Sequence, residues 1–147
     1  MLLKENNCSD EIVAAGILHD TVEDTHLTLA YIEKEFGKKI RELVENVSEP
    51  DKNLSWEKRK EFTLRKLETT SLEVRLITVA DKLHNISSIY EEYLEIGEQV
   101  WKKFKRGKES QTWYYKNLVQ KLCYRKDIPV NVNLFEQFKN MVEKVFG

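Results

Sequence analysis

Proline and glycine are scarce in this chain of 147 residues, two and five respectively, and with abundant Lys, Glu and Leu that scarcity favours helices. Cysteine is scarcer still. Cys8 and Cys123 do not make a disulfide framework, so a reducing cytoplasm is the expected compartment and Cys123 reads as buried filler. No apolar run approaches the roughly 18 residues of a membrane span, and no signal peptide is visible. Charge of one sign is also missing. A net charge of -1 excludes bulk electrostatic attraction to nucleic acid or membrane. It leaves open a phosphorylated small molecule, which needs only a local basic pocket. What remains is a charged yet adequately apolar chain, 33% and 41%, the composition of one ordinary globular domain.

Helical periodicity then orders the chain. Met1 to Asn7 reads as the last turn of a helix. Ser9 caps a helix reaching about Asp24, Thr28 caps Leu29 to Phe36, and Gly37 closes it in a left-handed position. Lys38 to Asn46 presents Ile40, Leu43, Val44 and Val47 at helical spacing. Ser48 to Asn53 is turn chemistry. Ser55 caps Trp56 to about Glu68, with Phe62, Leu64 and Leu67 as core candidates, and Ser71 caps a long helix to about Leu94. A short amphipathic helix follows Gly97 and ends near Gly107. Glu109 to Tyr124 and a final helix through Leu134 and Phe138 complete the reading. No strand pair is expected.

Two apolar helices stand out because each ends in ionisable residues. Ile12 to Leu18 runs into His19, Asp20, Glu23 and Asp24; Val74 to Ala80 runs into Asp81. His19 and Glu23 are four apart, as are Asp20 and Asp24, so both pairs project from one helix face. That spacing suits a metal site, with His19 and Asp20 as ligands and Glu23 and Asp24 beside the water to be activated. It equally suits a helix end that turns polar on leaving the core. Imidazole and carboxylate donors without thiolates fit Mn²⁺, Fe²⁺, Zn²⁺ or Mg²⁺. The natural reaction of such a site is metal-assisted hydrolysis of a phosphate ester or anhydride. His84, three residues past Asp81, is either a further ligand or a residue of a packed turn, and His26 reads as an exposed loop residue. The basic tract from Lys102 to Lys108 is either a solvated helix face or the mouth of a phosphate pocket.

With these residues laid out, the sequence resembles the HD-domain phosphohydrolases, and most of all the RelA/SpoT-type alarmone (guanosine tetraphosphate) hydrolases and their small single-domain relatives. The resemblance rests on Leu18 to Thr25, on Phe36-Gly37 followed by Leu43-Val44, and on Ala80 to Asn85. Trp56 with Arg59-Lys60, and Trp101 with Trp113-Tyr114-Tyr115, are similar to features of the bacterial small hydrolases. The resemblance extends from the first residue to about Leu122. It implies an all-α HD-domain helical bundle that removes the 3′-pyrophosphate of a guanosine polyphosphate with Mn²⁺. Carried over, it implies that His19, Asp20 and Asp81 are metal ligands, that Glu23 and Asp24 activate the water, and that Asn85 and Ser88 contact the nucleotide.

One departure is plain. The family supplies a further metal-binding His from a preceding helix, in a motif ending in His-Pro, whereas no histidine precedes His19 here. The resemblance therefore implies a single domain over 1–147, N-terminally truncated relative to the family, with a C-terminal packing helix in 126–147. A late recorded start, a natural truncation or a borrowed ligand would each account for it. An uncovered apolar face would favour a homo-oligomer. A catalytically silent module that binds a nucleotide or protein partner, and a phosphohydrolase for another nucleotide or phosphate ester, are the competing readings.

Overall fold

The computed structural model of the chain describes the backbone of residues 2–6, 8–24, 28–48, 53–104 and 106–147, and the side chains of these except residues 5 and 20–24. It is all-α. The helices are α1 (Leu2–Glu5), α2 (Asp10–Asp24), α3 (Leu29–Phe36), α4 (Lys38–Val47), α5 (Trp56–Leu67), α6 (Leu72–Ile96), α7 (Gly107–Leu122) and α8 (Leu134–Phe146), with a 3₁₀ segment over Gly97–Lys103. No strand occurs among the described residues.

Hydroxyl caps set where four of these helices begin. The Ile12 amide donates to Ser9 Oγ at 3.3 Å, Tyr31 to Thr28 Oγ1 at 3.1 Å, Lys58 to Ser55 Oγ at 3.2 Å and Val74 to Ser71 Oγ at 3.3 Å. Each cap satisfies an amide that has no partner within its helix, typically worth about 1 kcal/mol. Gly37 separates α3 from α4 at φ +96°, with open space where a Cβ would stand. Its value lies in the backbone conformation rather than in avoiding a clash.

Helix α6 organises the fold. From Val74 to Ala80 every residue is buried, followed by Leu83, Ile86 and Ile89. The apolar run in the sequence thus becomes a helix covered on most sides, by α2 and α4 on one flank and α1 and α8 on another. Full burial of each such Val, Leu or Ile is worth about 1.5–3 kcal/mol. Helix α8 buries Leu134, Phe135, Phe138 and Val142 against α6 and α7. An aromatic seam continues that packing, with Tyr115 and Phe146 stacked at 5.6 Å and Trp101 5.4 Å from Phe146. The N-terminal turn is pinned from the far end of the chain, because the Asn133 amide donates to Asn6 Oδ1 at 3.2 Å.

Three expectations need correction. Phe62 does not enter the core with Leu64 and Leu67 but remains 47% exposed, since it faces a cavity instead of a neighbouring helix. The short amphipathic helix expected after Gly97 is a 3₁₀ helix that ends at Lys103 instead of near Gly107. Gly97, at φ +66°, ends α6 and turns Val100 and Trp101 inward. Finally, the apolar run Ile12 to Leu18 is buried only at Ile12 and Ala15, and Ile17 is 55% exposed. The buried run of α6, for its part, contains a charge. Arg75 is 1% exposed, and its guanidinium donates to Asp127 in the loop before α8. That hydrogen bond holds the Asp127 carboxyl below its usual range.

Candidate active site

A cavity of about 380 Å³ opens where α2, α4, α5, α6 and α7 converge. Helix α2 contributes His19, 6% exposed. Helix α6 contributes Thr78, Asp81, Lys82 and Asn85, α5 contributes Lys60, Thr63 and Lys66, and α7 contributes Tyr114. His19 and Asp81, some sixty positions apart in the sequence, therefore face one space. Their helices carry them there because both are mostly apolar until the turn that reaches the cavity wall. The 3.6-residue period then sets Asp81 and Asn85, four apart, on one strip.

Three ammonium groups line this wall, from Lys60, Lys66 and Lys82, while Asp81 is the one carboxylate among the described lining residues. Lys82 Nζ lies 3.4 Å from Asp81 Oδ2, with both side chains largely shielded, 16% and 25% exposed. Burial pulls the Lys66 ammonium below its usual value, with Glu45 acting weakly the other way. Desolvated cations around a polar cavity are poised for an anionic ligand, whose charge relieves the cost of their burial. Tyr115 lies beneath the site, its phenol pushed up to about 12 chiefly by burial, so it stays neutral there.

The expected site residues divide into three groups. His19, Asp81 and Asn85 are brought together. Asp20, Glu23 and Asp24 lie outside the residues whose side chains are described, and His26 lies outside the described residues altogether. Ser88 follows on the same strip of α6 but does not line the cavity; its hydroxyl donates to the His84 carbonyl at 3.1 Å. His84 is turned away, lining a separate groove of about 500 Å³ with Leu2, Met141 and Lys144. Although only three positions apart on α6, His84 and Asp81 therefore line different spaces, His84 the groove and Asp81 the cavity.

The basic tract is also resolved. Lys103 pairs with Glu92, Lys108 lies 3.5 Å from Glu98, and Arg106 lies 3.0 Å from Glu57. None of its described residues lines the cavity, so it is a solvated face. The cations that do line it carry no local signal of a site in the sequence. Lys60, Thr63 and Lys66 repeat every three residues along α5, which reads as an exposed polar stripe until another helix is seen to face it. Lys82 was the more visible, lying beside Asp81.

The described donors, His19 and Asp81, are of the type a divalent ion takes, but among the described residues no group of three or more His, Cys, Asp or Glu side chains is placed to hold one. A buried imidazole and a shielded carboxylate face the same polar space, with nitrogen and oxygen donors and no thiolate. These are ligands of the borderline-to-hard type.

Comparison with known proteins agrees with this geometry. The family model for the HD domain matches residues 1–107. The guanosine-3′,5′-bis(diphosphate) 3′-pyrophosphohydrolase of Homo sapiens is 39% identical over 90 residues, covering 60% of this chain and 50% of that protein. Its Xenopus tropicalis counterpart is 38% identical over 78 residues, covering 53% and 43%. The chain thus spans about half the length of the curated relatives it matches. A Listeria monocytogenes protein of known crystal structure, lmo0812, superposes with a TM-score of 0.91 at 36% identity, covering 99% of this chain and 94% of that one. A metazoan ortholog of SpoT that hydrolyzes ppGpp superposes with a TM-score of 0.75 at 25% identity, covering 99% and 76%.

Proposed function

The chain belongs to the HD-domain family, and from that premise we propose that it is a metal-dependent hydrolase of the 3′-pyrophosphate of guanosine polyphosphates. One observation carries the reading: a buried imidazole, a carboxylate and three ammonium groups converge on one 380 Å³ cavity. The kinship with the pyrophosphohydrolases of Homo sapiens and Xenopus tropicalis supplies the substrate class.

In this reading His19, Asp20 and Asp81 hold a divalent ion, with Mn²⁺ as the proposed metal. When bound, the ion supplies Lewis-acid polarisation of a phosphoryl oxygen and lowers the pKa of water. The remaining work belongs to the chain. Lys60, Lys66 and Lys82 hold the phosphate charge through charge-assisted hydrogen bonds. Glu23 and Asp24, one turn beyond the proposed ligands His19 and Asp20, accept the proton of the attacking water. Asn85 contacts the nucleotide, and Ser88 is left for the part of a ligand that extends past the cavity rim. Apolar walls such as Ile77 and Leu67 exclude bulk water from the reacting phosphate.

The reading extends to the protein's surroundings. No helix among the described residues is long and apolar enough to cross a membrane. Both cysteines are free, which supports a reducing cytoplasm. Ile17, Tyr31, Phe36 and Leu94 are among the exposed apolar side chains available for self-association, which light scattering of the purified chain would reveal as a mass above 17.4 kDa.

The deciding assay measures pyrophosphate release from guanosine tetraphosphate with and without Mn²⁺. Metal-dependent release that disappears in Asp81→Ala is the expected result. Nucleotide binding without turnover would make the chain a silent binding module, and turnover of other phosphates alone would move the substrate.

A further inference from the structure

The two cavity lysines that come from different helices share one aromatic ring. Lys60 Nζ, on α5, lies 4.9 Å from the centroid of Tyr114, and Lys82 Nζ, on α6, lies 5.8 Å from the same centroid. Tyr114 itself sits on α7, is 3% exposed and lines the cavity. Trp56 braces it edge-on at 6.1 Å and is itself 5.9 Å from Lys60 Nζ. Three helices thus meet at a single phenol ring with a cation from each of the other two.

We propose that Tyr114 is a positioning residue, an aromatic post that holds Lys60 and Lys82 at a fixed spacing in the cavity for an anionic ligand. The inference rests on the reading of that cavity as a phosphate site and adds to it how the cations are kept in place.

The physical case is one of charge. Two ammonium groups facing one partly desolvated space repel each other, and long lysine stems leave them free to move apart. Asp81, 3.4 Å from Lys82, offsets part of that repulsion, but a carboxylate also cancels part of the field that draws in phosphate. The face of an aromatic ring attracts an ammonium within about 6 Å through its quadrupole, at about 0.5–2 kcal/mol per pair. It carries no net charge and so leaves the cavity positive. Burial in the Trp56–Tyr114 packing fixes the ring, and the ring in turn fixes the cations.

The test keeps the shape of the ring and changes its electrostatics. Position 114 is varied as Tyr114→Phe and Tyr114→pentafluorophenylalanine in the full chain, and binding of inorganic pyrophosphate is measured by calorimetry in metal-free buffer. Phenylalanine preserves the quadrupole, whereas perfluorination reverses it with little change in size. The expected result is a Kd for Tyr114→Phe within about twofold of the unmodified chain and a Kd for the fluorinated ring about tenfold weaker. The defect should vanish in a Lys60→Met, Lys82→Met background. Equal affinity for the two rings would overturn the post while leaving the phosphate site intact. Absence of pyrophosphate binding in the unmodified chain would overturn both. A ring that served packing alone would not respond to fluorination.

Discussion

Helix α6 presents two faces that share a backbone and differ in almost everything else. Asp81, Lys82 and Asn85 face the positively lined cavity between α2, α5 and α7. Leu83, His84 and Ser87 face the groove against α1 and α8, where the lining is mainly apolar. Asp81 and His84 are three positions apart, and both are of metal-ligating type. The difference teaches that the identity of a side chain does not assign its role. What counts is whether a second element brings complementary groups into the same space.

The comparison makes its strongest prediction at Asp81. If the cavity face alone carries chemistry, Asp81→Ala should lower kcat for guanosine tetraphosphate hydrolysis about a thousandfold, since several kcal/mol of charge stabilisation are lost at about 1.36 kcal/mol per decade. Retention of more than a tenth of the rate would break it.

Next comes Lys66, whose removal tests the cavity's positive lining. A hydrogen bond to a charged group is worth about 1.5–3 kcal/mol, so Lys66→Met should raise KM about tenfold and leave the unfolding midpoint nearly unchanged. Burial lowers this lysine's pKa, which fixes the sign of its pH dependence. The ammonium is lost as pH rises through a value below the ordinary 10.5, so KM should climb at alkaline pH. In Lys66→Arg that climb should move to higher pH or disappear.

A buried charge on α6 outside the cavity should behave in the opposite way. Arg75 is buried and donates to Asp127, so Asp127→Asn should cost about 1–3 kcal/mol in chemical denaturation without changing KM. The folded-state pKa of Asp127 is depressed, and its stabilisation is therefore present above the unfolded value and lost as pH falls through the folded one. The gap between the two proteins should accordingly narrow in acid. A gap that widened there would refute the assignment.

The smallest effect is expected at His84. It is exposed on α6 and lines the other groove, so His84→Ala should keep kcat and KM within about twofold and stability within about 0.5 kcal/mol. A large loss of activity would erase the distinction between the two faces.

Most of the fold was legible. Ser9, Thr28, Ser55 and Ser71 mark helix starts that the structure places at the same residues, because a hydroxyl cap is a local interaction visible in a few positions of sequence. The apolar run before Asp81 marked a buried helix for a similar reason, whereas the run before His19 is buried only at Ile12 and Ala15 and leaves Ile17 55% exposed. Phe62 was misread because helical spacing says which residues share a face but not what that face meets. For the same reason spacing alone does not decide which space His84 faces. The lysines of the cavity were missed as site residues for the converse reason, since a polar stripe on α5 looks solvated until α6 and α7 are set opposite it.

The sequence by itself therefore determined the helices, their caps, the apolar segment of α6 that must be buried and the acid and imidazole at the helix ends. Those properties depend on neighbours within about a turn, where spacing is fixed by the backbone. Tertiary packing alone decided that His19 and Asp81 face one space, that Lys60, Lys66 and Lys82 line it, and that Tyr114 lies within 6 Å of two of them. Each of those outcomes depends on how helices distant in sequence are rotated about their own axes, and that rotation is set by the burial of many side chains at once.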